Sequence, residues 1–219
     1  MTKFDHLIGF MIKSWVVFVC ILLMFISFFY LDKPIAYFFH NLDLRANLPF
    51  LNFVANLGSG NFYIGPMFLL GLVFRYIYRE KTWEIRTWFM LLSVLIPTII
   101  CLILKIFVVR ARPDLLFSDN LYGLYGFNIK DPYWSLPSGH TTNIMGFVFG
   151  LCALFPRYCY AFIISGLIIV SSRVLLTHHY FTDILMASYL ALLEIAFLLW
   201  YLRRNKFLIY SPKFLSHKV

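Results

Sequence analysis

Long apolar runs alternate with short polar connections along most of the chain. Six runs stand out, and several reach the roughly 18 residues that mark a membrane-spanning helix. They lie at 12–31, 62–78, 87–109, 141–155, 158–176 and 184–202. The fourth is short unless part of the preceding connection extends it. The pattern predicts an all-α polytopic membrane protein, with six transmembrane helices bundled into one domain over residues 1–219.

The composition favours the same environment. Hydrophobic residues make up 61% of the chain and charged residues 13%, against about 25% charged residues in an average soluble domain. The formal net charge of +9 does not indicate nucleic-acid binding, because Lys and Arg lie between the apolar runs rather than on one basic face. The four cysteines show no CxxC spacing and are expected to be free. The first run is too long for a signal peptide and should remain as a membrane helix.

Two connections are long enough to carry function. The first, 32–60, combines prolines and aromatics with few charges, as is typical of a segment at the membrane interface. The second, 110–140, is polar and interrupted by glycines and prolines, which indicates an ordered loop. Cytoplasmic loops are enriched in Lys and Arg, and with both termini in the cytoplasm that side holds 12 of the 19. We therefore expect a cytoplasmic (inner) membrane protein whose 110–140 loop faces the periplasm or the outside.

Polar residues that could act together are predicted to emerge at this outward face. They are Lys105, Arg112, Ser138, Gly139, His140, Arg173, His179 and Asp183. A cation in the middle of a membrane costs about 2.5–3.5 kcal/mol, and this set holds three cations against one carboxylate. A bound phosphate, with a charge of about −1.5 to −2 near neutral pH, would balance them. The alternative is snorkelling, in which Lys and Arg only reach the headgroup layer.

Two parts of this set carry chemistry beyond charge. The run 137–140 places Gly139 before a predicted helix, whose N-terminus attracts anions, although Ser138 could equally be a simple helix cap. His179 and Asp183 are four apart. If the sixth helix reaches back to His179, they share one face and Asp183 can orient the imidazole, leaving its other nitrogen free to attack. A metal bound by His140, His179 and Asp183 is the alternative, but nearby cations would repel it, so we expect no metal or other cofactor.

Three blocks of sequence resemble the signature of the type 2 phosphatidic acid phosphatase family. The pattern K-x6-R-P is matched at 105–113, P-S-G-H at 137–140 and S-R-x5-H-x3-D at 172–183, without a departure in order or spacing. Similar sites occur in soluble acid phosphatases and vanadium haloperoxidases, so the membrane setting is what favours a lipid substrate. The chain is most similar in type to bacterial phosphatases of undecaprenyl diphosphate, phosphatidylglycerophosphate or lipid A.

The resemblance implies a role for each matched residue. His179 would attack phosphorus, Asp183 would orient His179, and His140 would protonate the leaving lipid oxygen. Water would then hydrolyse the phosphohistidine without help from a metal. Five groups would hold the phosphate oxygens, namely Lys105, Arg112, Ser138, Gly139 and Arg173.

We therefore expect a membrane lipid phosphatase acting on the outer face, with undecaprenyl diphosphate or phosphatidylglycerophosphate as the favoured substrate. Two alternatives stay open: a lipid A phosphatase or lipid phosphotransferase with the same site, and a non-enzymatic flippase or binding protein for lipid phosphates. The expected partners are the substrate and membrane lipids, with no nucleic acid, and the sequence does not set the oligomeric state. His178 is expected to be a bystander. Glu194, inside the sixth run, is expected to be a protonated, hydrogen-bonded packing residue.

Overall fold

The computed structural model describes residues 1–127 and 130–205. The regular structure in these ranges is helical, which confirms the predicted all-α class. The α-helices are α1 (Lys3–Met11), α2 (Ser14–Ile26), α3 (Asp32–Asn41), α4 (Leu44–Asn47), α5 (Pro49–Asn56), α6 (Ile64–Tyr76), α7 (Lys81–Val108), α8 (Pro113–Asp119), α9 (Gly139–Leu154), α10 (Cys159–Leu175) and α11 (Phe181–Arg204). A π-helical turn at Ser27–Leu31 joins α2 to α3, and short 3-10 turns lie at Gly60–Phe62, Asp131–Tyr133 and Pro156–Tyr158.

The first membrane helix is longer than the sequence predicted. α2, the π-helical turn and α3 form one continuous helix, Ser14–Asn41, whereas the apolar run predicted an end near residue 31. The charge of Asp32 interrupts the run, but its side chain is buried and paired within the protein. Because this charge is satisfied internally, the helix continues past it. The segment predicted to lie at the interface therefore begins as part of a candidate membrane span.

Four helices within the described ranges are long and apolar enough to cross a membrane: Ser14–Asn41, Lys81–Val108, Pro156–Leu175 and Phe181–Arg204. Pro49–Asn56 and Gly60–Tyr76, bent by 61°, add a fifth if the pair is one span. α9, the fourth predicted span, has 16 residues. That is about 24 Å at 1.5 Å per residue, short of the ~30 Å hydrocarbon core. The chain is a multi-pass membrane protein, and the six-span count and cytoplasmic termini stay predictions.

The short helix α9 lies at the centre of the bundle. It packs against α7, α10 and α11, and most of its residues are buried. Gly146 approaches α7 so closely that a Cβ there would overlap the carbonyl oxygen of Ser93. Such close approach through small residues is how membrane helices pack tightly. Because protein surrounds α9, its first turn is held in place by three neighbouring helices rather than by the bilayer.

The connection between α3 and α6 covers the ends of α9 and α10. Arg45, in α4, donates hydrogen bonds to the carbonyl oxygens of Leu176 (2.6 Å) and Thr177 (3.1 Å), directly after α10. A Cβ at Gly58 would lie 2.8 Å from the Cβ of His140, so the backbone after α5 contacts the start of α9. This connection therefore touches two of the three predicted site blocks.

The long connection between α7 and α9 is ordered by backbone hydrogen bonds. Arg112 N donates to Pro132 O at 2.9 Å, and Ser135 N donates to Arg110 O at 3.1 Å. α8 begins at Pro113, a residue whose missing N–H and fixed φ suit the first helical position. The connection consequently folds back on itself, so that Arg110 and Ser135 both reach α11.

Candidate active site

The three sequence blocks converge at one end of the bundle. Lys105 lies in the last turn of α7, Ser138 caps α9, and Asp183 lies in the first turn of α11. Ser138 N donates to the main-chain oxygen of Asp183 at 3.4 Å. A Cβ at Gly139 would lie 3.7 Å from Lys105 Cε. Residues from three helices are therefore neighbours in space, as the membrane topology predicted.

Three cations act on His140, in the first turn of α9. They are Arg173, Lys105 and Arg112. Lys105 is buried, and its ammonium group donates a hydrogen bond to the carbonyl oxygen of Trp134 at 2.6 Å. Since a carbonyl oxygen supplies only a partial charge, this bond orients Lys105 without neutralising it. The lysine is fixed beside the start of α9 with its positive charge available to an anion.

The two arginines keep hydrogen-bonding capacity for a ligand. Arg112 pairs with the exposed carboxylate of Asp131 at 2.9 Å, while its buried Nε has no partner. Arg173 is 6% exposed, its Nε is also buried without a partner, and no ion pair to it is found within residues 1–127 and 130–205. The planar guanidinium fork suits two oxygens of one phosphate group. Arg173 is thus a buried cation without an anionic partner among the described residues.

Ser138 and Gly139 form the N-terminus of α9. The Oγ of Ser138 is buried and accepts hydrogen bonds from Thr141 N (3.4 Å) and Thr141 Oγ1 (3.0 Å). Ser138 therefore serves as the helix cap, which the sequence left open beside a role in phosphate binding. The first-turn N–H groups and the helix dipole favour an anion at this point. Lys105 lies beside the same turn.

His179 and Asp183 are in contact, but not in the way that their spacing suggested. α11 begins at Phe181, so His179 lies in the turn before the helix and shares no helix face with Asp183. Asp183 instead reaches back as the third residue of the helix and accepts a hydrogen bond from Tyr180 N at 2.9 Å, in a capping-box arrangement. This brings its Oδ2 to 3.4 Å from His179 Nδ1. Nε2 is then the ring nitrogen available for chemistry.

The surroundings of His179 keep it neutral. Burial lowers the pKa of His179 to about 3, against the opposing effect of Asp183. Lys105 and Arg173 contribute further to the low pKa, because positive charges disfavour an imidazolium. The imidazole therefore has an unprotonated nitrogen at neutral pH, which nucleophilic attack requires.

Two buried residues that the sequence analysis did not single out hold Asp183. Ser135 Oγ donates to Asp183 Oδ2 at 2.5 Å, and Arg110 Nη1 donates to Oδ1 at 2.6 Å. Burial disfavours the charge of Arg110, but Asp183 and Asp32 more than compensate and raise its pKa above the ordinary value. The sequence count of one carboxylate against three cations thus omitted a fourth cation. Asp183 pairs with Arg110 rather than with the three cations near His140.

Arg45 is a further residue near the site that sequence reasoning missed. Besides its bonds to the turn after α10, it pairs with Asp114 at 3.1 Å and lies 3.3 Å from His178 Nδ1. Burial, followed by Arg173 and Arg45, lowers the pKa of His178 to about 3. His178 is therefore a neutral neighbour of Arg45. The one signal for Arg45 in the sequence is that it and Lys33 are the two Lys or Arg residues of the 32–60 segment, which has few charges.

The metal-site alternative finds no matching geometry in the part of the chain that the structure describes. No group of three His, Cys, Asp or Glu side chains in residues 1–127 and 130–205 is arranged to hold a metal ion. The side chain of His140 is instead acted on by three cations, and that of His179 by Lys105 and Arg173. The charges around these two histidines suit an anion.

Glu194 departs from its prediction. Its Oε2 is buried without a hydrogen-bond partner among the described residues, so the expected hydrogen-bonded role is wrong for this oxygen. The residue lines an apolar cavity of about 560 Å³ between α7 and α11, together with Leu92, Ile96, Ile100 and Phe197. It is separate from the site that contains Asp183, about three helical turns away along α11.

Comparison with known protein families identifies the family to which the chain belongs. The model of the PAP2 superfamily matches residues 86–207, more than half of the chain. This range includes every residue that the sequence analysis proposed for the site. The chain belongs to the PAP2 superfamily, the type 2 phosphatidic acid phosphatase family that its three motifs resemble.

Two similar proteins are lipid A 1-phosphatases. The protein from Rhizobium johnstonii is 30% identical over 97 residues, which are 44% of this chain and 40% of that protein. The protein from Rhizobium etli is 34% identical over 83 residues, which are 38% of this chain and 36% of that protein. The chain thus matches about two fifths of the length of each relative. No solved structure matches the chain.

Proposed function

We propose that the chain is a metal-independent membrane lipid phosphatase whose nucleophile is His179. The observation that carries the proposal is a neutral, buried His179, 3.4 Å from Asp183, near a buried Arg173 with no ion pair in the described residues. This arrangement is electrostatically incomplete until an anion binds. A phosphoryl group supplies both the anion and the electrophile, and its transfer depends mainly on positioning and charge stabilisation.

The proposed reaction has two steps. His179 Nε2 attacks phosphorus, a P–N bond forms, and the bond to the lipid oxygen breaks as His140 donates a proton to that oxygen. Water then transfers a proton to His140 and attacks the phosphohistidine, which releases inorganic phosphate and neutral His179. Asp183 accepts the Nδ1 hydrogen bond throughout and stabilises the positive ring. The phosphate oxygens are held by Lys105, Arg112, Ser138, Gly139 and Arg173.

The proposed topology has six spans within one domain over residues 1–219. The bent pair Pro49–Asn56 and Gly60–Tyr76 supplies the second span, and α9 supplies the fourth because neighbouring helices bury it. Both termini would lie in the cytoplasm, in line with the distribution of Lys and Arg. The site would then open at the periplasmic or outer face of the inner membrane, where a lipid headgroup can enter while its tails stay in the bilayer.

For the substrate, the similar proteins favour the lipid A alternative over the two lipids that the sequence analysis preferred. Both are lipid A 1-phosphatases, and their matched segments resemble this chain at 30% and 34% identity. We therefore place a phosphorylated glycolipid of the lipid A type first. Undecaprenyl diphosphate and phosphatidylglycerophosphate follow, since a phosphate cradle accepts the same terminal group on each. Passing the phosphoryl group to a second lipid instead of water would use the same site.

A panel of lipids tests the proposal. Purified protein in detergent is incubated with lipid A, undecaprenyl diphosphate, phosphatidylglycerophosphate and phosphatidic acid, and inorganic phosphate and dephosphorylated lipid are both measured. We expect phosphate release from at least one lipid, with lipid A fastest. Dephosphorylated lipid without free phosphate would indicate the transferase. No dephosphorylation of any lipid would contradict the proposal and favour a flippase or binding protein.

As the pH is lowered, kcat/KM should begin to fall only at an unusually low pH. This parameter reports the free enzyme, in which the pKa of His179 is lowered to about 3. The neutral nucleophile therefore persists as the pH falls through 6.5, where an ordinary histidine would be half protonated. The alkaline limb belongs to His140, which must carry the proton that it donates. Burial and the charges of Arg173, Lys105 and Arg112 disfavour its protonated form. In the free enzyme the rate is therefore expected to fall at a lower pH than it would with an ordinary histidine as the acid, which gives a bell-shaped profile displaced toward acid.

The measurement should be made with two substrates whose phosphates have different second pKa values. The comparison shows whether the acid limb comes from a group of the enzyme or from the substrate. An acid limb that moves with the substrate belongs to the phosphate, which ordinarily titrates near pH 6. A limb that stays near pH 6.5 with both substrates would contradict the low pKa of His179. A rate flat from about pH 4 to 9 would contradict the assignment of His140 as the acid.

A further inference from the structure

Arg110 connects the site to a helix outside the family-matched region. Its Nη1 donates to Asp183 at 2.6 Å and its Nη2 donates to Asp32 at 2.7 Å, and none of the three side chains is exposed. Asp32 belongs to the continuous helix Ser14–Asn41, whereas the family match begins at residue 86. The carboxylate next to His179 therefore shares its cation with a second carboxylate from a distant part of the chain.

Asp32 is fixed by contacts on several sides. Its Oδ1 accepts hydrogen bonds from Ser27 Oγ at 3.2 Å and from Thr182 N at 3.0 Å, in addition to the ion pair with Arg110 at Oδ2. Thr182 precedes Asp183 in the first turn of α11, so Asp32 also holds the helix end that carries Asp183. The π-helical turn Ser27–Leu31 immediately precedes it, and π-helical turns occur frequently at functional sites.

Arg110 is also enclosed by aromatic rings. Its guanidinium carbon lies 4.2 Å from the ring centre of Tyr180, 4.6 Å from that of Phe28 and 5.3 Å from that of Tyr122. Aromatic faces stabilise a cation without supplying a formal negative charge. Two carboxylates and one guanidinium therefore leave one net negative charge in this buried group.

That excess charge matters for the reaction step at His179. When Nε2 attacks phosphorus, positive charge develops on the imidazole, and a negative group at Nδ1 stabilises it. If Asp32 were neutral, Arg110 would cancel the charge of Asp183 completely. The ring could still be oriented, but its developing charge would be less stabilised in a buried site where water cannot compensate.

We propose that Asp32 is a positioning residue of the active site, which acts through Arg110 to leave Asp183 with excess negative charge and which holds the start of α11. The inference rests on the proposed phosphatase function. The competing explanation is a structural ion pair that only ties the first membrane helix to α11. The two explanations differ in whether Asp32 affects the chemical step once the protein is folded.

A double-variant cycle tests the proposal with full-length protein in detergent and the best lipid of the panel. Asp32→Asn keeps the shape and removes the charge. We expect kcat to fall about 10- to 100-fold with KM unchanged, by analogy with the loss seen when a group that orients a metal-ligating histidine is removed. Arg110→Gln is also expected to lower kcat, because it leaves two buried carboxylates without their cation and their repulsion would displace Asp183 from His179. The double variant Asp32→Asn/Arg110→Gln restores the one net negative charge and should be faster than Asp32→Asn alone.

A structural ion pair predicts the opposite order, with the double variant no faster than Asp32→Asn and with losses that follow the melting temperature. Asp5→Asn is the matched control, because it breaks the Asp5–Arg203 pair of 2.8 Å near the other end of α11 and should retain the parent kcat. Ser27→Ala, which removes one hydrogen bond to Asp32, replaces Asp32→Asn if that variant does not fold, and should lower kcat at unchanged KM.

The outcomes separate this inference from the function on which it rests. If the parent protein releases phosphate and both Asp32→Asn and Ser27→Ala match its kcat, the role of Asp32 is wrong while the phosphatase proposal stands. If the parent dephosphorylates no lipid, the proposed function fails and the role of Asp32 fails with it. A lower kcat in Asp32→Asn that recovers in the double variant supports both.

Discussion

Replacing His179 by alanine should lower lipid phosphate release by about 10³-fold or more, the scale seen when a catalytic nucleophile is removed. The proposed mechanism gives the P–N bond to His179 alone, because it assigns His140 as the acid and because His178 Nδ1 lies 3.3 Å from Arg45. The measurement is phosphate release by purified His179→Ala against the parent protein. Substrate binding should persist, since the cations of the phosphate cradle remain.

His6→Ala is the matched control for this variant. His6 is an exposed histidine of α1, remote from the site in sequence, and its loss should leave phosphate release unchanged. Because His179 is buried, a melting temperature measured for both variants shows whether any loss reflects unfolding. A folded His179→Ala protein that keeps a tenth or more of the parent rate would rule out His179 as the nucleophile.

Replacing Arg173 by methionine should reduce activity and stabilise the empty protein at the same time. The guanidinium would contribute most when charge builds up on the phosphoryl oxygens, so kcat/KM should fall about 100- to 1,000-fold. Yet Arg173 is a buried cation whose charged neighbours include Arg112 and Arg45. Exchanging a poorly compensated buried charge for an apolar side chain of similar volume stabilises proteins by about 1–4 kcal/mol in favourable cases, so the melting temperature should rise.

Arg75→Met is the control for that result. Arg75 is more than half exposed and lies 3.8 Å from Glu84, so its loss should change neither activity nor melting temperature measurably. A ligand experiment adds a second check, because phosphate or vanadate should raise the melting temperature of the parent and not that of Arg173→Met. If Arg173→Met melts lower than the parent and still hydrolyses lipid at the parent rate, Arg173 is a structural cation rather than part of a phosphate cradle.

The sequence predicted the membrane helices well where contact with lipid requires a long apolar run. The runs 87–109, 158–176 and 184–202 correspond to Lys81–Val108, Cys159–Leu175 and Phe181–Arg204, because a helix facing lipid must be apolar along its length. The start of α9 at Gly139 was also close to its prediction, since Ser138 is a typical cap. The predicted end of the first helix, near residue 31, was wrong, because the helix continues past the charged residue Asp32 to Asn41.

The residues that hold Asp183 could not be predicted from spacing along the chain. Arg110 and Asp32 are 78 positions apart, and their pairing depends on how the first membrane helix packs against the connection after α7. Arg110 lies between the fixed positions of the first motif, so the motif assigns it no role. One signal was present: a carboxylate next to a long apolar run is costly unless it is paired, and Asp32 fits that description.

The most direct measurement of the central proposal is a search for the covalent intermediate. The parent protein and His179→Ala are mixed with lipid labelled with ³²P on its terminal phosphate, quenched in alkali within a single turnover, and digested to locate the label. The mechanism predicts label on His179 of the parent that is stable in alkali and lost in acid, with none on the variant. Label on another residue, or equal labelling of His179→Ala, would contradict it.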